Sequence, residues 1–166
     1  MKSWAERPHE VAYLLNPAFT GLVLNGAIKG HENEGGVGIP FPLVYLILPI
    51  VLHETTKKSL PDRISSSMPT WLQENPHAMT QLPERTRNFR SYTQESIRFL
   101  SARRMISITS AGLVQAGPVP GPSVHKQKKA IGVEEYTAIS ASAFLGRWFA
   151  RTGNVATIMT LWGIRP

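Results

Sequence analysis

Residues 35–53, GGVGIPFPLVYLILPIVLH, decide the fold, because the stretch from 39 to 52 carries no charged side chain. A helix that spans a bilayer needs about 20 apolar residues, and this run of about fourteen is too short for one. Pro40 and Pro42 suit the entry into a first helical turn, whereas Pro49 predicts a kink or an early end. We therefore expect a short buried helix and no membrane segment. Its apolar sides need cover, either from this chain or from a partner protein.

The composition fits a single domain over residues 1–166 of an intracellular protein. The chain has no cysteine, which excludes disulfides, thiolate zinc sites and cysteine nucleophiles and agrees with a reducing cytoplasm. The N-terminal residues MKSWAERPHE lack the apolar core of a signal peptide, so we expect a cytoplasmic location. The net charge of +7 fits a nucleic-acid or acidic-protein partner, or a basic protein kept in solution by its complex.

The first 38 residues predict a divided helix followed by a flexible turn. Pro8 opens the helix, and Asn16-Pro17 should kink or divide it, since the residue before a proline avoids the helical region. The glycines in 35–38 should end the helical stretch. His31, Glu32 and Glu34 stand beside these glycines, which favours a solvated loop over a metal cage.

Residues 70–117 show the order of a winged helix-turn-helix. Ser91 and Gln94 form a possible capping box, and Arg85, Arg87 and Arg90 give the segment before it a basic face. Residues 105–109 alternate as in a strand, 110–112 make a turn, and 113–116 return as a second strand. We expect a mainly α (α+β) fold, in which a helical domain contains this winged-helix-like segment and one short β-hairpin.

The C-terminal quarter predicts an exposed loop over residues 117–130 and then helices over 134–163. Asn154 should cap the last helix, and the packed core is the default place for Trp148. Arg147 and Arg151 lie one turn apart, so they either clamp a carboxylate of a partner or pair within the chain.

No catalytic constellation is visible, and we expect a protein that is not an enzyme and needs no cofactor or metal. The five histidines are scattered, with no HExxH motif. The glycines in 35–38 lack the GK[ST] ending of a phosphate-binding loop. No two carboxylates share an apolar setting that would suit them for acid–base chemistry.

Four blocks together resemble a bacterial family. They are residues 14–19 (LLNPAF), 35–43 with 48–53 (GGVGIPFPL and LPIVLH), 144–150 (FLGRWFA) and 163–166 (GIRP). In this order they are similar to the middle component of three-component ABC systems (ABC-3C), a group that includes Lamassu-type anti-phage defence operons. The resemblance extends from about residue 10 to the C-terminus.

The resemblance implies an adaptor that links an SMC/ABC-type ATPase sensor to an effector, often a nuclease, and helps control its activation. The alternative is a winged-helix transcriptional regulator that binds DNA. The residues expected to bind a partner are Phe41, Leu46, Ile50, Arg147, Trp148, Arg151 and Trp162. The protein could also contact DNA nonspecifically. The residues expected to do so are Arg98, Arg103, Arg104, Lys126, Lys128 and Lys129.

Overall fold

The structure, a computed structural model, describes residues 7–121 and 132–164. Its helices and strands, in chain order, are α1 (His9–Leu14), α2 (Pro17–Gly35), β1 (Ile39–Pro40), α3 (Phe41–Val51), α4 (Glu54–Ser59), α5 (Met68–Glu74), a 3-10 helix (Pro76–Met79), α6 (Leu82–Ala102), β2 (Ile106–Ile108), β3 (Leu113–Ala116), α7 (Val133–Thr152) and α8 (Val155–Leu161). The fold is therefore mainly helical with a small sheet, as the sequence predicts.

The uncharged run forms α3, which is buried at the centre of the domain. Leu46, Ile47 and Ile50 have no exposed surface, and the helix ends two residues after Pro49. Its 11 residues span roughly 16 Å, about half of the ~30 Å hydrocarbon core of a bilayer. Within residues 7–121 and 132–164, no helix combines the length and apolar character that crossing a membrane would require. The expected buried helix is confirmed.

Helices α2 and α7 form the most extensive helix pair in the described structure. They run parallel, because Gly26 in the middle of α2 faces Ile139, and Gly35 at the C-terminal end of α2 faces Ala150 near the C-terminal end of α7. Gly30 lies against the backbone carbonyl of Ala143, and a Cβ atom at this glycine would collide with that carbonyl. Gly146 lies in the same way against the carbonyl of Ala27. Glycine is thus required on both helices for this close approach.

Three short strands form an antiparallel sheet in the order β1-β3-β2. The hairpin of β2 and β3 is confirmed, with Ile108 opposite Val114. Strand β1 was not predicted from the sequence; its Ile39 pairs with Val114 on the other side of β3. This strand has two residues and lies inside the apolar run, so no alternating pattern marks it. Helices followed by a hairpin are an order compatible with the winged-helix-like segment expected over residues 70–117.

Of the two helix caps predicted from the sequence, one is confirmed and one is wrong. Asn154 caps α8 as expected, since its side-chain oxygen accepts the backbone N–H of Thr157. Asn16-Pro17 divides the first helix as expected, and Asn16 in addition caps α2 by accepting the backbone N–H of Phe19. The capping box at Ser91 is wrong, because Ser91 lies inside α6, which begins at Leu82. Leu82 is buried on the same side of α6 as Leu100, so packing extends the helix well upstream of the polar signal.

Candidate partner-binding surfaces

The two ends of α3 line two separate grooves on the surface. The N-terminal end carries Phe41 and Tyr45, which line one of them. The C-terminal end carries Val51 and Leu52, which line the other. Helix α6 also contributes to both, through Arg87 and Phe89 respectively. A single rigid core therefore presents two distinct surfaces.

The groove at the N-terminal end of α3, called here the aromatic groove, is open and mostly apolar, with a volume of about 520 Å³. Its lining residues are Phe41, Pro42, Tyr45, Thr86, Arg87, Arg90 and Met159. The Phe41 and Tyr45 rings meet edge to face, with centroids 5.6 Å apart, one helical turn from each other on α3. Arg87 and Arg90 are exposed at its edge.

The groove at the C-terminal end of α3, called here the acidic-rimmed groove, has a volume of about 310 Å³. Its lining residues are Leu14, Leu15, Phe19, Val51, Leu52, Glu54, Lys57, Phe89, Glu134, Glu135 and Ala138. Leu14 and the neighbouring Tyr13 are 61% and 75% exposed, which is unusual for such large apolar side chains. Glu134 and Glu135 lie in the first turn of α7 and make no ion pair within the described residues.

Most of the predicted partner-binding apolar residues lie in the chain's own core. Leu46, Ile50, Trp148 and Trp162 are at most 1% exposed. The two tryptophans flank the ring of Trp71, at centroid distances of 5.4 and 6.0 Å. In the folded chain these four side chains have no surface to offer a partner. Phe41 differs, because it is half-buried and lines the aromatic groove.

The two predicted arginines of α7 pair within the chain. Arg151 Nη1 lies 2.8 Å from one carboxylate oxygen of Glu34, and Arg147 Nε lies 3.5 Å from the other. Of the two alternatives that the spacing left open, the structure shows the internal pair. Both arginine side chains remain about half exposed, so they also face solvent beside the end of α2.

The basic end of α6, defined as Arg98, Arg103 and Arg104, contains the described part of the predicted DNA-contacting set. All three residues are exposed. The guanidinium of Arg103 stacks 3.6 Å above the ring of Phe99, which orients it. Lys126, Lys128 and Lys129 lie outside the described residues.

The acidic residues near the end of α2 are structural rather than part of a solvated loop, which corrects that expectation. Glu32 accepts the backbone N–H of Ala116 at 2.8 Å and so ties α2 to β3. His31 is buried, and its Nδ1 atom hydrogen-bonds the carbonyl oxygen of Val37 at 3.0 Å. Within residues 7–121 and 132–164, no group of three potential ligands is placed to hold a metal ion.

Arg85 was missed by sequence reasoning, which placed it on a basic face. Its guanidinium instead turns inward and donates to the carbonyl oxygens of Pro49, Ala78 and Thr80 at 3.0–3.1 Å. Burial lowers the pKa of Arg85 from its ordinary value. The available signal was the predicted early end of the helix near Pro49, because the last carbonyls of a helix have no donor within it and need one from elsewhere.

Residues 4–166 match the family described as ABC-three component (ABC-3C) system Middle Component 3. The chain belongs to this family. The match covers nearly the whole chain, including both grooves and the basic end of α6, and it confirms the resemblance to ABC-3C middle components. No curated protein and no solved structure matches the chain. A middle component of a three-component system has protein partners, so exposed grooves are the natural place to seek contacts.

Proposed function

We propose that this middle component is a cytoplasmic, non-catalytic adaptor that holds two proteins at once. One is an SMC/ABC-type ATPase that senses foreign DNA, and the other is an effector, often a nuclease, in a Lamassu-type anti-phage system. The observation that carries the proposal is the pair of grooves at the two ends of α3. An adaptor between two partners needs two binding surfaces on one rigid body.

The two grooves have opposite charge, which supports distinct occupants. Arg87 and Arg90 edge the aromatic groove, whereas Glu134 and Glu135 edge the acidic-rimmed groove. Charge complementarity selects partners and suppresses wrong ones, since like charges brought together at an interface are costly. A change at one groove should therefore remove one partner and leave the other.

The test is co-expression of the chain with the products of its neighbouring genes, followed by purification on a tag carried by the chain. We expect a complex of all three proteins from the wild type. Leu14→Asp should lose one partner and keep the other, because Leu14 is 61% exposed in the acidic-rimmed groove. Val37→Asp is the matched control, since Val37 is 51% exposed and lies in neither groove.

The adaptor proposal is contradicted if the wild-type chain purifies alone although its neighbours are expressed and soluble. A gene neighbourhood that encodes neither an ATPase nor an effector would contradict it independently. Hydrolase or nuclease activity of the purified chain, lost on substitution of a single residue, would contradict the non-catalytic role.

A second candidate function is nonspecific DNA contact through the basic end of α6. Helix α6 precedes the hairpin, which is the place of the recognition helix in a winged helix, and Arg98, Arg103 and Arg104 are exposed there. Binding to duplex DNA should weaken with salt, and Arg98→Glu should lower the salt slope by about 1. A preference for one symmetric operator, bound by the chain alone, would instead support the alternative of a transcriptional regulator.

A further inference from the structure

The aromatic groove combines an apolar floor with two exposed arginines at its edge. Phe41, Tyr45 and Met159 are half-buried and supply apolar surface. Arg87 and Arg90 are exposed at the edge, and neither makes an ion pair or a hydrogen bond within residues 7–121 and 132–164. By contrast, the guanidinium of Arg85 on the same helix donates hydrogen bonds to three backbone carbonyl oxygens.

The groove also has a fixed shape. Phe41 and Tyr45 lie in the first turns of α3, whose remaining length is buried, and their rings brace each other edge to face. The backbone N–H of Phe41 donates to the carbonyl of Gly112 at 2.9 Å, which ties this end of α3 to the hairpin. Preformed apolar sites with a few polar groups at the edge are typical of binding sites that place a ligand in one orientation.

We propose that the aromatic groove binds a segment of a partner protein in which an apolar anchor residue is followed or preceded by acidic side chains. The apolar side chain would fill the space between Tyr45 and Met159, and the carboxylates would pair with Arg87 and Arg90. This rests on the proposed adaptor function and adds the chemistry of one partner to it. Arginine suits the role because its planar guanidinium binds a carboxylate with two parallel hydrogen bonds.

A protein segment fits the groove better than DNA does. DNA binding is dominated by phosphate contacts along a charged track, whereas this groove is mostly apolar and has only two arginines at its edge. Aromatic and arginine residues in a concave patch are typical of the residues that contribute most to protein–protein binding. The basic end of α6 lies about 12 Å or more along the helix from Arg90, at about 1.5 Å per residue, and is a separate surface.

The first experiment uses the co-expressed complex with Arg87→Glu and Arg90→Glu combined in the adaptor. We expect at least a tenfold loss of one partner, the other being retained, and an unchanged melting temperature, because both side chains are exposed. Arg63→Glu is the matched control, with the same charge change at an exposed arginine that lies outside both grooves and outside the basic end of α6. It should leave the complex intact.

The second experiment places the photo-crosslinking amino acid p-benzoylphenylalanine at Tyr45. The control places it at Val37, which is 51% exposed and lies outside both grooves. We expect the Tyr45 position to crosslink to one partner, at a peptide with an apolar residue beside Asp or Glu. A crosslink to DNA, to a second copy of the chain, or to a peptide without acidic residues would overturn the proposal. The proposal would also be overturned if Arg98→Glu lost the partner to the same extent as the double variant. The partner would then bind along the length of α6 and not in the aromatic groove.

The two proposals fail in distinguishable ways. If the wild type carries both partners and the Arg87/Arg90 double variant carries them equally well, the groove assignment is wrong and the adaptor function stands. If the wild type carries neither neighbour, the adaptor function is wrong, and the groove assignment fails with it.

Discussion

Arg85 Nη1 donates to the carbonyl oxygen of Pro49 at 3.1 Å and so joins α6 to the end of the buried helix α3. Its Nη2 atom also donates to the carbonyls of Ala78 and Thr80, which close the connection before α6. One side chain therefore satisfies backbone acceptors from two segments that are far apart in sequence.

Removing this guanidinium should strongly destabilise the fold. We expect Arg85→Ala to lower the free energy of unfolding by about 2–4 kcal/mol, because hydrogen bonds from a charged donor contribute roughly 1.5–3 kcal/mol and the carbonyls would lose their donor. Arg85→Lys should recover only part of the lost free energy of unfolding. The ammonium lacks the planar, forked arrangement of donors with which the guanidinium reaches all three carbonyl oxygens. Urea denaturation measures the effect, and Arg87→Ala, an exposed neighbour, should change stability by less than about 0.5 kcal/mol.

The parallel contact between α2 and α7 predicts that alanine is harmful where helix propensity says it should help. A Cβ atom at Gly146 would collide with the carbonyl of Ala27, so the helices would have to move apart. We expect Gly146→Ala to cost about 1–3 kcal/mol despite a gain of about 1 kcal/mol in propensity. Gly21→Ala on α2 is the control, because its Cβ would meet side-chain atoms and no backbone, with Leu100 at 3.3 Å and Phe99 at 3.6 Å. Equal thermal stability of both variants would contradict the close approach.

The cap of α4 predicts a loss of stability in mild acid. His53 Nδ1 accepts the backbone N–H and the hydroxyl of Thr56, at 3.3 and 2.7 Å, and only the neutral ring can do so. Burial lowers the pKa of His53, and the positive charges of Arg85 and His77 lower it further.

Because the folded pKa of His53 lies below the unfolded value of about 6.5, the unfolded chain binds more protons and stability rises with pH. The contribution is complete above about pH 6.5 and is lost as the pH falls through the folded pKa. His53→Asn keeps a capping side chain and should flatten the pH dependence of the melting temperature between pH 7 and 5. His9→Gln, an exposed histidine in α1, should leave that dependence as in the wild type.

The ion pairs of Glu34 should matter little to stability. Arg147 and Arg151 are about half exposed, and exposed pairs contribute roughly 0–1 kcal/mol, screened by salt. We expect Glu34→Gln to lower stability by no more than about 1 kcal/mol at low salt, with the difference shrinking at 1 M NaCl. A double-mutant cycle with Arg151→Ala isolates the pair, and a coupling that persists at high salt would contradict this assignment.

Several elements were predictable because their signals are local. Asn154 caps α8 within three residues of itself, Asn16-Pro17 divides the first helix, and the strand alternation at 106–108 needs only its own residues. The membership of an ABC-3C family was also visible in the sequence. The start of α6 could not be predicted from local sequence. Packing of the buried Leu82 extends the helix upstream of the capping signal at Ser91. The grooves were not visible either, because each is assembled from helices distant in sequence.

The sequence by itself determined that the uncharged run 39–52 contains a short buried helix that cannot span a bilayer, because charge, length and proline position are properties of that stretch alone. The helix that forms there is Phe41–Val51. Only the tertiary structure decided what surrounds it. The parallel path of α2 and α7 directs Arg147 and Arg151 to Glu34, and the fold turns Arg85 inward while it leaves Arg87 free at a groove. These outcomes depend on contacts between distant segments, which a local pattern does not specify.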